Sequence, residues 1–513
     1  MKILKTIFLK KKIKSYIQVI KGYKKCHTHS SISIIDIKNE ISEVNYLKSK
    51  NLKIKFLKNV NFNRVIQQVL YEKIIQPFKI NNLFFKSIYN KKKLIYYLHT
   101  DWYYSFEKRG CRINKILSNI LFNFFIFSRV FKAILYLIKV IKCFKNTNNH
   151  VSFVNLYEDC VSDNIYDKNF VNWYVKKHNI VNKNISINVG KEFKNSNNFI
   201  IENFLYSNLN IINKLLLIAY FIYFFSLSFF YYLIGNKYYL LLFEEVLIAR
   251  KFYLQKTRLS KKYIFLFHDN VYRPLWTYIA EKFSSDIEMF NYAGSFGDIQ
   301  KKNLPYPKSI NFFKILTWPH LQLYSQNLRN YYFNLNRKIN FILHPRIDFF
   351  DSNFNFKINH KNSLAFFDGP PLRDFFRAEA AAIDSFTTEK NCIKLFQDII
   401  DISEELGIHI YYKPKRELSP FKSKHYLKFI NNLRDNKFVT ILDYKISPQS
   451  LIEKVKAVVS RPYTSPSLIG NKLKKPSIFY DPIGYCDPND PGSQGLKTIY
   501  QKDALRKWLS INF

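Results

Sequence analysis

The strongest constraint on this chain lies in its C-terminal third, where short apolar runs alternate with polar tips and amphipathic segments. Ser363 to Phe367 (SLAFF), Ile408 to Tyr412 (IHIYY), Phe438 to Leu442 (FVTIL), Ala457 to Ser460 (AVVS) and Pro476 to Tyr480 (PSIFY) are short, nearly continuous apolar runs. Such runs predict strands buried on both faces, as in a parallel sheet. Helical stretches separate them: Glu389 to Leu406, stopped by Gly407; Tyr426 to Leu433; a helix N-capped by Ser447; and a short helix after Thr464. Five strands with four helical crossovers predict a doubly wound parallel sheet.

In such a sheet ligands gather beyond the carboxyl ends of the strands, so the polar tips are the candidate site. The second strand runs into Lys413, Lys415 and Arg416, three cations suited to a phosphate or diphosphate. The fourth runs into Thr464, Ser465 and Ser467 at a helix start, where hydroxyls and backbone N–H groups make an anion site. The fifth ends at Asp481, with the turn-rich loop Gly484 to Gly495 behind it. Each tip also has a plainer reading: a solvated turn, a helix cap, an ordinary connection. The first strand ends in Asp368-Gly369-Pro370-Pro371, with Arg373, Asp374 and Arg377 beyond it.

The same grammar begins upstream at about Lys261. Tyr263 to Phe267 reads as a strand, His268-Asp269-Asn270 as its tip, RPLWTYIAEKF as a helix with Pro274 in its first turn, and Ile287 to Phe290 as the next strand. That puts His268 and Asp269 at a strand end as candidate general bases, with Asp374 in reserve.

A length of 513 residues suits two or three domains. Eighty Lys and Arg against 38 Asp and Glu give a formal charge of +42. Lys, Asn, Ile, Phe and Tyr are abundant throughout, so part of that charge is compositional. The rest favours an anionic membrane surface or a phosphorylated substrate. With no nucleic-acid-binding motif in view, no nucleic-acid partner is expected. The six cysteines are scattered without a CxxC pair, which reads as a reduced cytoplasmic protein. Cys26, His27 and His29 lack a second ligand pair, and no metal is expected. Met1 to Lys12 is basic and lacks the apolar core of a signal peptide.

Leu215 to Gly235 carries no charge and is about long enough to span a bilayer core. Lysines on both sides leave its orientation unreadable. Two readings stand: a helix that dips into or lies on a membrane, and a buried core helix. Ile120 to Phe144 predicts a second helix, with Arg129, Lys132, Lys139 and Lys142 as a basic stripe beside an apolar face. A solvated face is its plainer reading.

The stretch AVVSRPYTSPSLIGNKLKKPSIFYDP, with YYKPKRE at Tyr411 to Glu417, resembles the polysaccharide biosynthesis family known for a Pro-Phe-Thr-Ser (PFTS) motif. Here the motif reads Pro462-Tyr463-Thr464-Ser465, with Tyr in the Phe position. The resemblance implies a GT-B-like α/β fold with two Rossmann-like domains, a donor domain over 356–513 and an acceptor-side portion over 251–355; the apolar helices 120–144 and 215–235 mark 1–250 as a membrane-associating region. It implies a glycosyltransferase of capsule, lipopolysaccharide or exopolysaccharide synthesis. The nucleotide-activated sugar would be its donor substrate and a glycan or lipid-linked molecule its acceptor. By likeness to bacterial sialyltransferases of that fold, Thr464, Ser465 and Ser467 would hold the donor phosphate. The expected place is the cytoplasmic side of the inner membrane, peripheral or monotopic. No Gly-rich P-loop and no Asp-x-Asp at a strand end is present, so neither an ATPase nor a metal-dependent GT-A enzyme is expected, and no cofactor. A CDP-donor phosphotransferase of teichoic-acid type and a non-catalytic assembly protein are the alternatives.

Overall fold

The structure is a computed structural model. It describes residues 54–75, 112–143, 150–156, 169–181, 185–189, 200–201, 204–267, 272–291, 315–323, 325–344, 356–369, 371, 388–415, 418 and 422–513. Two helices come first, α1 (Phe62–Ile75) and α2 (Arg112–Lys142). A first α/β unit follows: β1 (Val151–Leu156), α3 (Phe170–Lys177), β2 (Ile185–Val189), β3 (Ile200–Ile201), α4 (Ile211–Leu233), α5 (Tyr238–Leu241), α6 (Phe243–Leu254), β4 (Lys262–Phe267), α7 (Leu275–Lys282), β5 (Asp286–Asn291), β6 (His320–Leu323), α8 (Gln326–Leu335) and β7 (Asn340–Leu343). The second unit is β8 (Ser363–Phe367), α9 (Glu389–Leu406), β9 (His409–Tyr412), α10 (Lys424–Asn432), β10 (Val439–Ile441), α11 (Pro448–Lys454), β11 (Ala457–Ser460), α12 (Ser465–Lys472), β12 (Ser477–Tyr480), β13 (Thr498–Ile499) and α13 (Lys502–Asn512).

Each unit has one parallel sheet. The first runs β3-β2-β1-β4-β5-β6-β7 and the second β10-β9-β8-β11-β12-β13. Both begin in the middle, wind outward to one edge, then cross back and wind to the other, which is the Rossmann strand order. The fold is therefore α/β with two Rossmann-like domains, the GT-B-like class expected from sequence. Alternate side chains along each strand feed opposite layers. In β8, Leu364 and Phe366 join one core, while Ala365 and Phe367 join the other. In β4, Tyr263 and Phe265 face the α4–α7 side, while Ile264 and Leu266 face α3. Covering both faces explains why these strands read as apolar runs.

Local signals set the element ends. Gly407 stops α9 in the left-handed conformation at φ 66°. Ser447 caps α11 by accepting from the N–H of Ser450. The second sheet holds a sixth strand, β13, too short to register as an apolar run. The expected boundary at residue 250 needs correcting, because it cuts the first sheet. β1, β2 and β3 precede it, and β1 pairs with β4 beyond it. Short strands separated by long polar segments had hidden this half of the sheet.

The uncharged segment forms α4, which lies in the crossover from β3 to β4. It is not a core helix: only Leu217, Phe224 and Ser228 are buried. Among the described residues it is the one helix long and apolar enough to cross a membrane. The basic stripe of α2 is shorter than expected. Arg129 is buried, and its Nη1 donates to Glu244 Oε2 of α6 at 2.9 Å.

Gly470, in α12, meets the sheet without a side chain. A Cβ there would come within 2.9 Å of Val458 Cγ2 and closer still to Ser477 Oγ. Gly470→Ala is expected to destabilise the protein by about 1–3 kcal/mol through overpacking, measured as a lower denaturation midpoint.

Candidate functional site

The second sheet reverses its winding between β8 and β11, and the crevice beyond their carboxyl ends is the position where such sheets bind ligands. β8 ends at Asp368 and Gly369. On one side the Lys413 N–H donates to Phe366 O (3.1 Å). On the other the Arg461 N–H donates to Phe367 O (3.1 Å). Lys413 and Arg461 thus flank the tip of β8 from strands about 10 Å apart.

Asp368 anchors the crevice. It is buried, with Oδ1 accepting from Tyr412 OH at 2.8 Å and Oδ2 accepting from Tyr426 OH. The two phenol oxygens lie 3.0 Å apart. Burial pushes the Asp368 carboxyl up to about 6, against the opposing pull of the two tyrosines, Arg461 and Lys422. Gly369 matters through what it leaves open: a Cβ there would lie 2.9 Å from Arg461 Nη1. The guanidinium therefore rests over the backbone of the β8 tip. Lys413 is also buried, and desolvation pulls its ammonium down to about 8 despite Asp443 nearby. Lys415, on the same tip, is exposed.

The β11–α12 turn carries the Pro462-Tyr463-Thr464-Ser465 motif. Tyr463 takes the left-handed conformation at φ 57°, which costs a bulky side chain about 1–3 kcal/mol. Its ring is buried edge-on against Phe479 and its hydroxyl donates to Asp487 O at 2.8 Å. Phenylalanine would fill the same space without that bond. The turn is held from below by hydroxyls. Thr464 Oγ1 donates to Arg461 O (2.7 Å) and reaches Ser460 Oγ (3.0 Å). Ser467 Oγ lies 2.6 Å from Ser460 Oγ and donates to Ile478 O (2.7 Å). Thr464 sits at the N-cap of α12 but its side chain makes no capping bond. Ser465, half-buried, is the first helical residue at that tip.

Asp481 is fully buried, and its two oxygens accept from the N–H groups of Ile483 (3.1 Å) and Cys486 (2.8 Å). The loop behind it is built from further short-range turns, with Asp490 Oδ1 accepting from the Gly492 N–H at 2.7 Å. It touches the first domain at the start of α8. Gln494 accepts from Ser325 Oγ through its side chain (2.7 Å) and from Asn327 Nδ2 through its carbonyl (3.0 Å).

Of the residues named from sequence, Lys413, Lys415, Thr464 and Ser465 stand at strand or helix tips on the carboxyl edge. The hydroxyl of Ser467 and the carboxylate of Asp481 serve the turn and the loop. Arg416, Asp374, His268 and Asp269 lie outside the described residues, as does the Cys26–His29 cluster. Sequence reasoning left out Asp368, Gly369 and Arg461. Their signal was position alone: Asp368 and Arg461 each directly follow a strand, with Gly369 next after Asp368, and the two strands lie far apart in sequence.

Arg461, Lys413 and the start of α12 thus stand together on the carboxyl edge of a Rossmann-like sheet. The polysaccharide biosynthesis PFTS motif protein family matches residues 225–509, more than half of the chain, and the chain belongs to that family. No curated protein matches it. Among solved structures, UDP-GlcNAc 2-epimerase from Methanocaldococcus jannaschii in complex with UDP-GlcNAc and UDP is similar at 14% identity. The match covers 71% of this chain and 92% of that one, with a TM-score of 0.34. The spinosyn forosaminyltransferase SpnP is similar at 7% identity, covering 71% and 90%, TM-score 0.35. A UDP-glucose: anthocyanidin 3-O-glucosyltransferase in complex with UDP is similar at 10% identity, covering 72% and 90%, TM-score 0.36.

Two predictions follow from this geometry. Tyr463→Phe keeps the ring and loses the bond to Asp487, lowering stability by about 0.5–1.5 kcal/mol and speeding proteolytic cleavage within 481–495. Asp368 holds its proton more tightly in the folded chain than in the unfolded one. Its stabilising contribution is therefore full below about pH 4 and lost as pH rises through about 6. Measured against Asp368→Asn, the parent protein should lose roughly 2–3 kcal/mol across that window in denaturation experiments.

Proposed function

We propose that this protein is a glycosyltransferase of surface polysaccharide biosynthesis, which moves a sugar from a nucleotide-activated donor to a glycan or lipid-linked acceptor. The observation that carries the reading is the crevice between β8 and β11. There Arg461 lies over the β8 tip beside the start of α12, whose N-cap Thr464 makes no side-chain capping bond, and Lys413 ends β9 on the other side of β8. A nucleoside phosphate leaving group is what such a site suits. As the bond from the anomeric carbon to the phosphate oxygen breaks, the electron pair stays on that oxygen. Cations and helix N–H groups already in place there stabilise the growing charge. The acceptor hydroxyl forms the new bond at the anomeric carbon and gives its proton to a base. His268 and Asp269, which follow β4 in the sequence, are the proposed bases, with Asp374 next. Family membership in polysaccharide biosynthesis supports the same reading.

A thermal-shift series against CMP, CDP, UDP, GDP and ADP tests it. Selective stabilisation by one nucleotide is expected, about 2.7 kcal/mol at a hundredfold excess over Kd. Arg461→Ala and Ser465→Ala should abolish the shift. Gly369→Ala, which pushes the guanidinium off the β8 tip, should weaken it while the unliganded midpoint changes little. The reading fails if no nucleotide stabilises the protein, or if the three variants respond as the parent does.

A further inference from the structure

Helices α2 and α4 leave a broad apolar face that the proposed reaction does not use. They run antiparallel and are tied at both ends. Near the start of α4, Lys214 Nζ donates to Ile141 O (2.8 Å) and Cys143 O (3.1 Å) at the end of α2. Just past the end of α4, Lys237 Nζ donates to Asn123 Oδ1 (3.0 Å) on α2. On α2, the side toward the core is Ile126, Val130, Ala133, Tyr136 and Val140. The opposite side is Phe124, Phe127, Phe131, Leu135 and Ile138, all exposed. Their spacing makes one stripe along the helix. On α4, Leu215, Ile222, Phe229, Phe230 and Leu233 are exposed in turn. Phe127 and Tyr232 pack edge to face at 5.2 Å, so the two stripes are continuous. An exposed apolar surface of this extent marks an interaction site.

We infer that this face rests on a membrane, with both helices lying in the plane of an anionic lipid surface and neither crossing it. Charge selects the occupant. Neither helix contains an acidic residue. Lys132 and Lys139, exposed two turns apart on α2, border the apolar stripe, and Lys142 closes its end. A second copy of a chain carrying +42 would meet its own charge there. The inner side of the pair rejects a span. α2 is fixed to α6 by the Arg129–Glu244 ion pair, and Arg250 of α6 stacks on Tyr220 midway along α4, 5.0 Å from the ring centre. Crossing would carry these charges into the hydrocarbon, whereas lying flat leaves them on the protein side.

Co-sedimentation of the full-length protein with vesicles tests this. Phosphatidylcholine vesicles with about 30% phosphatidylglycerol should capture it, and phosphatidylcholine alone should capture far less. The double variant Phe131→Glu, Phe230→Glu should lose at least about tenfold in binding at an unchanged melting temperature. Equal binding by that variant overturns the proposal. So does failure of the parent to bind, or a concentration-dependent dimer that the double variant breaks, since the face would then be covered by this chain or a second copy. Orientation is read from Ile222→Trp, mid-helix on the exposed side, with lipids brominated at different depths and the parent's fluorescence subtracted. Quenching should be strongest from bromine near the headgroups. Strongest quenching from the bilayer centre would mean a span and overturn the flat arrangement.

Discussion

A parallel sheet buried on both faces can keep its polar groups only at the ends of its strands, and this molecule is organised by that constraint. In the second sheet every side chain along β8, β9 and β11 is buried. The charged groups are displaced to the tips, where Asp368, Lys413 and Arg461 end three neighbouring strands. Asp368 is buried far enough to raise its proton affinity, and two phenols from β9 and α10 hold it in place. The same network fixes the floor of the crevice over which Arg461 lies.

The motif turn meets the same constraint from the other side of the crevice. Three hydroxyls, from Ser460, Thr464 and Ser467, bind one another beneath α12, and Thr464 makes no side-chain capping bond at its N-cap. Tyr463 accepts an unfavourable backbone conformation, and its buried ring and its bond to Asp487 offset that cost. That bond links the turn to the loop that reaches the first domain through Gln494. Motif, crevice and domain contact are thus one connected structure.

The helical layer of the first domain answers a different demand. Its inner side carries ion pairs and stacked cations as any soluble core does, while its outer side is apolar and bordered by lysine. The insertion of α4 into the β3–β4 crossover puts that face on the same domain that carries the proposed bases.

Much of the second domain was legible from sequence, because strands covered on both faces leave uninterrupted apolar runs and because Gly407 and Ser447 mark helix ends by their own chemistry. The positions of Lys413 and Ser465 at strand and helix tips were legible for the same reason, since polar residues follow such runs. The family motif was readable as well. Much of the first sheet was not: β3 has two residues, and β2 (ISINV) and β6 (HLQL) alternate polar with apolar residues rather than forming apolar runs. Tertiary structure decided the rest through contacts between residues far apart in the chain. Asp368 meets Tyr426 and Arg461 only when β8 lies between β9 and β11. Arg129 turns inward only because Glu244 waits on α6. Ser467 and Asp481 become internal ties only once the turn and loop close around them. Sequence order determines which residues end a strand; strand order in the sheet determines which of those ends share a site.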